Sequence, residues 1–266
     1  MSSAIGSVGF LSAVSEGTKY AFIDADNFKI SFEEALENRG VAKDEYFAFN
    51  LSALFEMVHA DRYYVYSAVP DNNEPQEWIS QLRSTDRYVF RSGRLTEKSG
   101  KKKQQGVDVM LALEAQRNAF YKNCNACILF SSDGDFLPLV NAIVDAGTKM
   151  VVVSFGYPDK SPVARQLRDA ADSYIHVGTH LLWSVIRPEH RFSGISAYSP
   201  QELQTMGEGI EISLDPKSSK SVLLPDGRLF LVSDEISSQT VSVKVAIFGS
   251  KIGAQIYFKL HGPLDW

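Results

Sequence analysis

Short runs of β-branched and aromatic residues recur through the first two thirds of the chain, and stretches with helical spacing separate them. The run Lys19–Asp24 predicts a buried strand that ends in polar residues. A helix is expected over 31–38, stopped by Gly40, and another over 44–60 from the spacing of Phe47, Leu51, Leu54, Phe55 and Val58. Residues 62–69, rich in tyrosine and valine and bounded by Pro70, read as a second strand. A helix over 74–83 and a third strand around Tyr88, Val89 and Phe90 follow. Residues 96–105 contain no apolar side chain and are expected to be a loop. Helical spacing then returns over 107–121, a fourth strand over 126–130, and a helix over 136–146 that ends at Gly147. Residues 149–155 form a nearly unbroken apolar run, which suits a parallel strand covered on both faces. A short helix over 162–171 and a strand over 174–177 complete the series.

Strands alternating with helices predict an α/β fold with a parallel sheet over residues 19–187. Residues 1–18 read as a loose arm, and 188–220 as a polar linker with scattered Gly, Ser and Pro. Residues 221–266 predict a small β-rich appendage. Its first hairpin turns at Pro225-Asp226-Gly227, and further strands are expected over 241–248 and 254–260.

Composition adds bounds. With 266 residues, 44% hydrophobic and 22% charged, the chain can bury a core without disulfide staples. No apolar run reaches membrane-spanning length and no basic leader is evident, so a cytoplasmic location is expected. Cys124 and Cys127 are the only cysteines; lacking a second pair, they read as packing residues. The five histidines show no metal-ligand spacing. The formal net charge of -5 does not favour nucleic acid in bulk. However, residues 81–103 hold eight basic side chains against Asp86 and Glu97, so this stretch carries +6 and the remainder -11. Arg94, Lys98, Lys101, Lys102 and Lys103 are therefore candidates for phosphate contact.

In open parallel sheets, ligands bind at the carboxyl ends of the strands, near the point where strand order reverses. Asp24 and Asp26 follow the first strand, Asp133 and Asp135 the fourth, and Asp108 opens the helix before the fourth. Each alone suits a helix cap or a turn. Packed together they would repel unless a cation joined them, and oxygen-only ligands suit Mg²⁺ or Mn²⁺. Such an ion is common machinery for phosphodiester hydrolysis.

The segments Phe22-Ile23-Asp24-Ala25-Asp26-Asn27-Phe28, Gly106-Val107-Asp108-Val109-Met110-Leu111 and Ser131-Ser132-Asp133-Gly134-Asp135-Phe136-Leu137-Pro138-Leu139 resemble the signatures of NYN domains. These are PIN-like nucleases, including a LabA-like branch. The resemblance extends through Gly147-Thr148-Lys149 and Leu167-Arg168-Asp169, across about 160 residues in order. It implies a PIN-like parallel sheet flanked by helices, an acidic pocket for Mg²⁺ or Mn²⁺, and endonucleolytic cleavage of RNA, single-stranded or structured. By that resemblance Asp24 and Asp133 would bind metal directly, and Asp108 and Asp135 would be ligands or holders of metal-bound water. Asn27 would orient the loop or a water, with Asp26 and Ser132 supporting. Glu114 stands where the family often has a further aspartate. Self-association stays open, as do two other readings. One is a non-catalytic RNA-binding scaffold; the other is a haloacid-dehalogenase-type phosphatase, suggested by Asp24-Ala25-Asp26 but poorly served by Asn27-Phe28.

Overall fold

The computed structural model describes residues 17–69, 86–98, 101–198, 210–211, 221–224, 226–232 and 243–262. Residues 1–16 of the arm expected over 1–18, and the helix expected over 74–83, lie outside them. The described residues divide into two units, one of Met1–Ala35 with Leu51–Leu181, the other of Leu36–Asn50 with Leu182–Trp266.

The first unit is a seven-stranded sheet. Its strands are β1 (Lys19–Asp24), β2 (Arg62–Val69), β3 (Tyr88–Lys98), β4 (Lys101–Gln105), β5 (Ala126–Phe130), β6 (Lys149–Ser154) and β7 (Ser173–His176), in the order β4-β3-β2-β1-β5-β6-β7. All neighbouring pairs are parallel except β3 with β4. From β1 the chain builds outward through β2 and β3, then returns to start β5 on the other side of β1. Strand order therefore reverses between β1 and β5.

Alternation along the strands divides two cores. Phe22, Tyr64, Tyr66, Leu129 and Val152 join Leu111 and Ala115 of α3 (Val107–Phe120), Val140 and Ile143 of α4 (Leu137–Asp145), and Leu167 of α5 (Pro162–Ala170). On the opposite face, Phe28 of α1 (Ala25–Glu37) and Phe55 of α2 (Leu51–Glu56) pack edge-on against Phe130, with ring centroids 5.4 and 5.0 Å away. Cys124 and Cys127 are buried and unbridged, as their packing role requires.

Residues 96–98 and 101–105 are not a loop. They continue β3 and return as β4, pairing Thr96 with Lys103 and Glu97 with Lys102. The hairpin is polar because it forms an edge of the sheet, where charge discourages pairing with other chains. The helical stretch expected over 44–60 is also divided, into a 3-10 helix (Lys43–Ala48) and α2, with Phe49 extended between them.

The second unit carries a sheet of order β8-β12-β11-β10-β9, from β8 (Phe192–Tyr198), β9 (Ile210–Glu211), β10 (Ser221–Leu223), β11 (Leu229–Val232) and β12 (Val243–Phe248). The expected hairpin is present, its Gly227 at a φ of 88°. Two expectations fail. The stretch read as linker supplies β8 and β9, and residues 254–260 are not a strand but part of α7 (Lys251–His261). Ser250 caps that helix by accepting from the Gly253 N–H, and Gly262 ends it at positive φ. Its Ala254 is buried with Leu229, Leu231, Ala246 and Phe248, and the adjacent Gly253 is buried as well, whereas a strand's alternation would turn one of the two outward. Gly253 has no room for a side chain, because a Cβ would lie 1.8 Å from the His190 carbonyl oxygen. Residues 36–50 belong to this unit through Asn50 N–H to Val185 O (2.8 Å) and Arg187 N–H to Ala48 O (2.8 Å). The short helix α6 (Thr179–Ser184) stands at the passage between the units. Among the described residues no helix is long and apolar enough to cross a membrane.

Candidate active site

The reversal of strand order falls between the carboxyl ends of β1 and β5, the place where open α/β sheets bind ligands. Asp24 is the last residue of β1, and α1 begins at the next residue, so no loop separates them. Its carboxylate is buried, at 3% exposure. It accepts only long hydrogen bonds, from Asn27 N–H at 3.4 Å and Ser131 Oγ–H at 3.3 Å. Burial, followed by repulsion from Asp108 and then Asp26, pushes its pKa up to about 7 despite those bonds. Asp108, at the second position of α3, reaches solvent. Partial desolvation together with repulsion from Asp133 and Asp135 also pushes it up. These couplings link the four aspartates drawn from β1, α3 and the turn after β5.

Asp133 starts that turn. Its backbone N–H donates to Ser131 Oγ (3.1 Å), and its Oδ1 accepts from Asp135 N–H (2.9 Å). Asn27 fastens the turn to α1: its Oδ1 accepts from Ser132 N–H at 3.0 Å and lies 3.3 Å from Ser131 Oγ. Asn27 is thus a brace between the residues following β1 and those following β5. Ser132 faces elsewhere. Its Oγ accepts from Phe155 N–H (3.3 Å) and from Ser154 Oγ–H (2.9 Å), linking β5 to β6 rather than touching a carboxylate.

Asp26 receives Ser67 Oγ–H at 3.1 Å and Ala68 N–H at 2.8 Å, which ties the start of α1 to the end of β2. Glu114 is fully engaged by a bidentate Arg91, at 2.9 and 3.0 Å, and by Tyr66 O–H at 2.7 Å. Burial would raise its pKa, but Arg91 and Tyr66 outweigh burial and hold it below the usual range. These contacts occupy the oxygens that a metal would need. Ser131 was not singled out by sequence reasoning, although the pairing of Ile23 with Phe130 brings the next residue of each strand together. Its signal was simply its position, one residue beyond an apolar strand beside β1. Backbone pairing places Arg94 opposite Gln105, Thr96 opposite Lys103 and Lys98 opposite Lys101 on the hairpin that leads into α3.

As placed, no three His, Cys, Asp or Glu side chains among the described residues gather closely enough to hold a metal ion. The donor chemistry nonetheless suits a hard cation: carboxylates without thiolate or imidazole, one of them buried and raised by like-charged neighbours.

The NYN domain model matches residues 20–181, more than half of the chain. The chain belongs to the NYN domain family. NYN domains are part of the PIN-like nuclease superfamily. The matched span begins within β1 and ends within α6, so it contains every aspartate of the site. A solved Vibrio parahaemolyticus protein of unknown function is similar at 22% identity, over 63% of this chain and 98% of that one, with a TM-score of 0.48. No curated protein matches the chain.

Proposed function

We propose that this NYN domain is a divalent-metal-dependent endoribonuclease. The observation that supports the reading is the electrostatic coupling of Asp24 to Asp108, and of Asp108 to Asp133 and Asp135, at the reversal of strand order, with Asp24 buried. Such crowding is retained in proteins where a cation is to be bound. Mg²⁺ or Mn²⁺ held by these four aspartates would supply charge neutralisation and an activated water for hydrolysis of a phosphodiester.

The chain's own residues divide the remaining work. Asn27 and Ser131 keep Asp24 and the Asp133 turn at a fixed separation, which is the preorganisation that electrostatic catalysis requires. Asp26 and Glu114 hold the frame, through β2 and through Arg91 with Tyr66. The hairpin β3–β4 brings Arg94, Lys98, Lys101, Lys102 and Lys103 to the polypeptide leading into Asp108, where they offset the repulsion between RNA and the acidic centre.

The test is incubation of labelled single-stranded RNA with Mn²⁺, Mg²⁺ or EDTA, using the parent and the variants Asp24→Asn, Asp108→Asn and Asp133→Asn. Metal-dependent internal cleavage by the parent, lost in all three variants, is the expected result. Binding without cleavage by the parent would instead make the domain an RNA-binding scaffold.

A further inference from the structure

A second feature stands beside the acidic centre, on the turn between β6 and α5. Ser154, the last residue of β6, bonds to Ser132 through its hydroxyl, and a Cβ on Gly134 would lie 2.8 Å from Val163 Cγ1. The turn therefore runs directly alongside Asp133, Gly134 and Asp135. It presents Tyr157 with 46% of its surface exposed, next to Val163 at 39%. An exposed aromatic ring is normal in isolation. This one sits on a turn closed by its own hydrogen bonds.

Tyr157 O accepts from both Lys160 N–H and Ser161 N–H at 2.9 Å, closing the turn on itself. Pro158 is buried, and Arg165 donates to the Pro158 and Asp159 carbonyls. The preceding carbonyl, that of Gly156, accepts from Tyr174 O–H at 2.7 Å and from His176 Nδ1–H at 3.1 Å. The His176 ring meets the Tyr157 ring edge-on at 4.9 Å, and Lys160 Nζ lies 5.6 Å from its centroid. The result is a half-exposed ring on a closed turn, bordered by His176 and with the Lys160 ammonium over it.

We propose that Tyr157 and Lys160 form a subsite for single-stranded RNA, the ring stacking on one nucleobase and the ammonium pairing with an adjacent phosphate. The proposal rests on the RNA-cleaving reading above and adds a position of substrate contact. Nucleobases of every kind have a face to stack, so the subsite grips the strand without choosing sequence. It stands one strand over from the Asp133 turn, on the opposite side of β1 from the lysine hairpin, since the order runs β4-β3-β2-β1-β5-β6-β7. A strand crossing the acidic centre would thus be gripped on both sides of it, by phosphate contacts at the hairpin and by stacking at Tyr157. Phosphate contacts position the strand, and a stacked base adds a second restraint.

The experiment is fluorescence anisotropy in EDTA, which prevents cleavage. The full chain is titrated into an oligoadenylate and into an abasic oligomer of the same length. Tyr157→Ala should weaken oligoadenylate binding about fivefold to a hundredfold while leaving the abasic oligomer unaffected. Tyr157→Trp should restore the affinity. Lys160→Ala should weaken both oligomers and reduce the salt slope by about 0.7. Circular dichroism of each variant establishes that the fold is retained. Equal oligoadenylate affinity for parent and Tyr157→Ala overturns the subsite but leaves the nuclease reading intact. A parent that binds neither oligomer also overturns the subsite, while the cleavage assay with Mn²⁺ or Mg²⁺ judges the nuclease reading separately.

Discussion

Replacing Asp24 with asparagine should make the metal-free protein more stable, although it removes a residue of the proposed centre. The aspartate's pKa rises from 3.8 to about 7 on folding. A raised pKa in an acid means the folded chain binds its proton more tightly than the unfolded one. Stability from this group is therefore complete below about pH 4 and is lost as the pH climbs through 7. Three pKa units at about 1.4 kcal/mol each amount to about 4 kcal/mol by pH 8. Asparagine resembles the protonated acid and avoids that loss. Its Oδ1 can still accept from Asn27 N–H, and its Nδ2 can donate to Ser131 Oγ, which then turns its own proton toward Asn27 Oδ1. Urea denaturation in EDTA at pH 5 and pH 8 measures the difference. The variant should gain about 1.6 kcal/mol at pH 5 and about 4 kcal/mol at pH 8. Mn²⁺ at pH 8 should reverse the order by stabilising the parent alone. A variant no more stable than the parent at pH 8 without metal would refute the account of Asp24 as a buried, crowded carboxylate.

Other perturbations test the frame around the centre. Replacing Lys101, Lys102 and Lys103 together with alanine should weaken RNA binding and flatten its salt dependence by up to about 0.7 log units per lost contact, with the rate at saturating RNA nearly unchanged; anisotropy at several salt concentrations beside saturating kinetics reads both. Glu114→Ala leaves the fully buried Tyr66 hydroxyl without its acceptor, so it should cost about 1–3 kcal/mol in urea denaturation, while Mn²⁺ affinity measured by calorimetry stays the same. Truncation after Ser196 removes Lys259 from the nearly buried Glu45, so limited proteolysis should find new cleavage within residues 36–50 while the parallel-sheet unit resists.

The elements that position the centre were legible because their signals are local. Lys19–Asp24, Ala126–Phe130 and Lys149–Ser154 are apolar runs buried on both faces, and the aspartates follow them in the sequence itself. The hairpin was not legible, because an edge built of lysine and glutamine has no hydrophobic period to read. Helix α7 was misread for the opposite reason: Ala254-Gln255-Ile256 mimics strand alternation, while the informative residues were the caps, Ser250 and Gly262. Within the centre, the aspartates announced themselves but their holders did not. Whether Ser132 serves a carboxylate or β6, and whether Glu114 is open or clamped by Arg91, depends on strands brought together from distant parts of the chain.

The discontinuity of the second unit has a consequence for how the polypeptide is made. Residues 36–50 leave the ribosome early, yet their partners Val185, Arg187 and Lys259 emerge only after about 135 to 215 further residues, roughly 10 to 40 seconds later at ordinary rates of synthesis. Through that interval Ala48 and Phe49, buried in the finished protein, have no completed surface to bury against. The parallel sheet can form first, since its last strand ends at His176. The excursion then waits as a nascent loop whose closure spans most of the chain, an arrangement that favours slow final consolidation and makes the late-emerging residues the step on which the early ones depend.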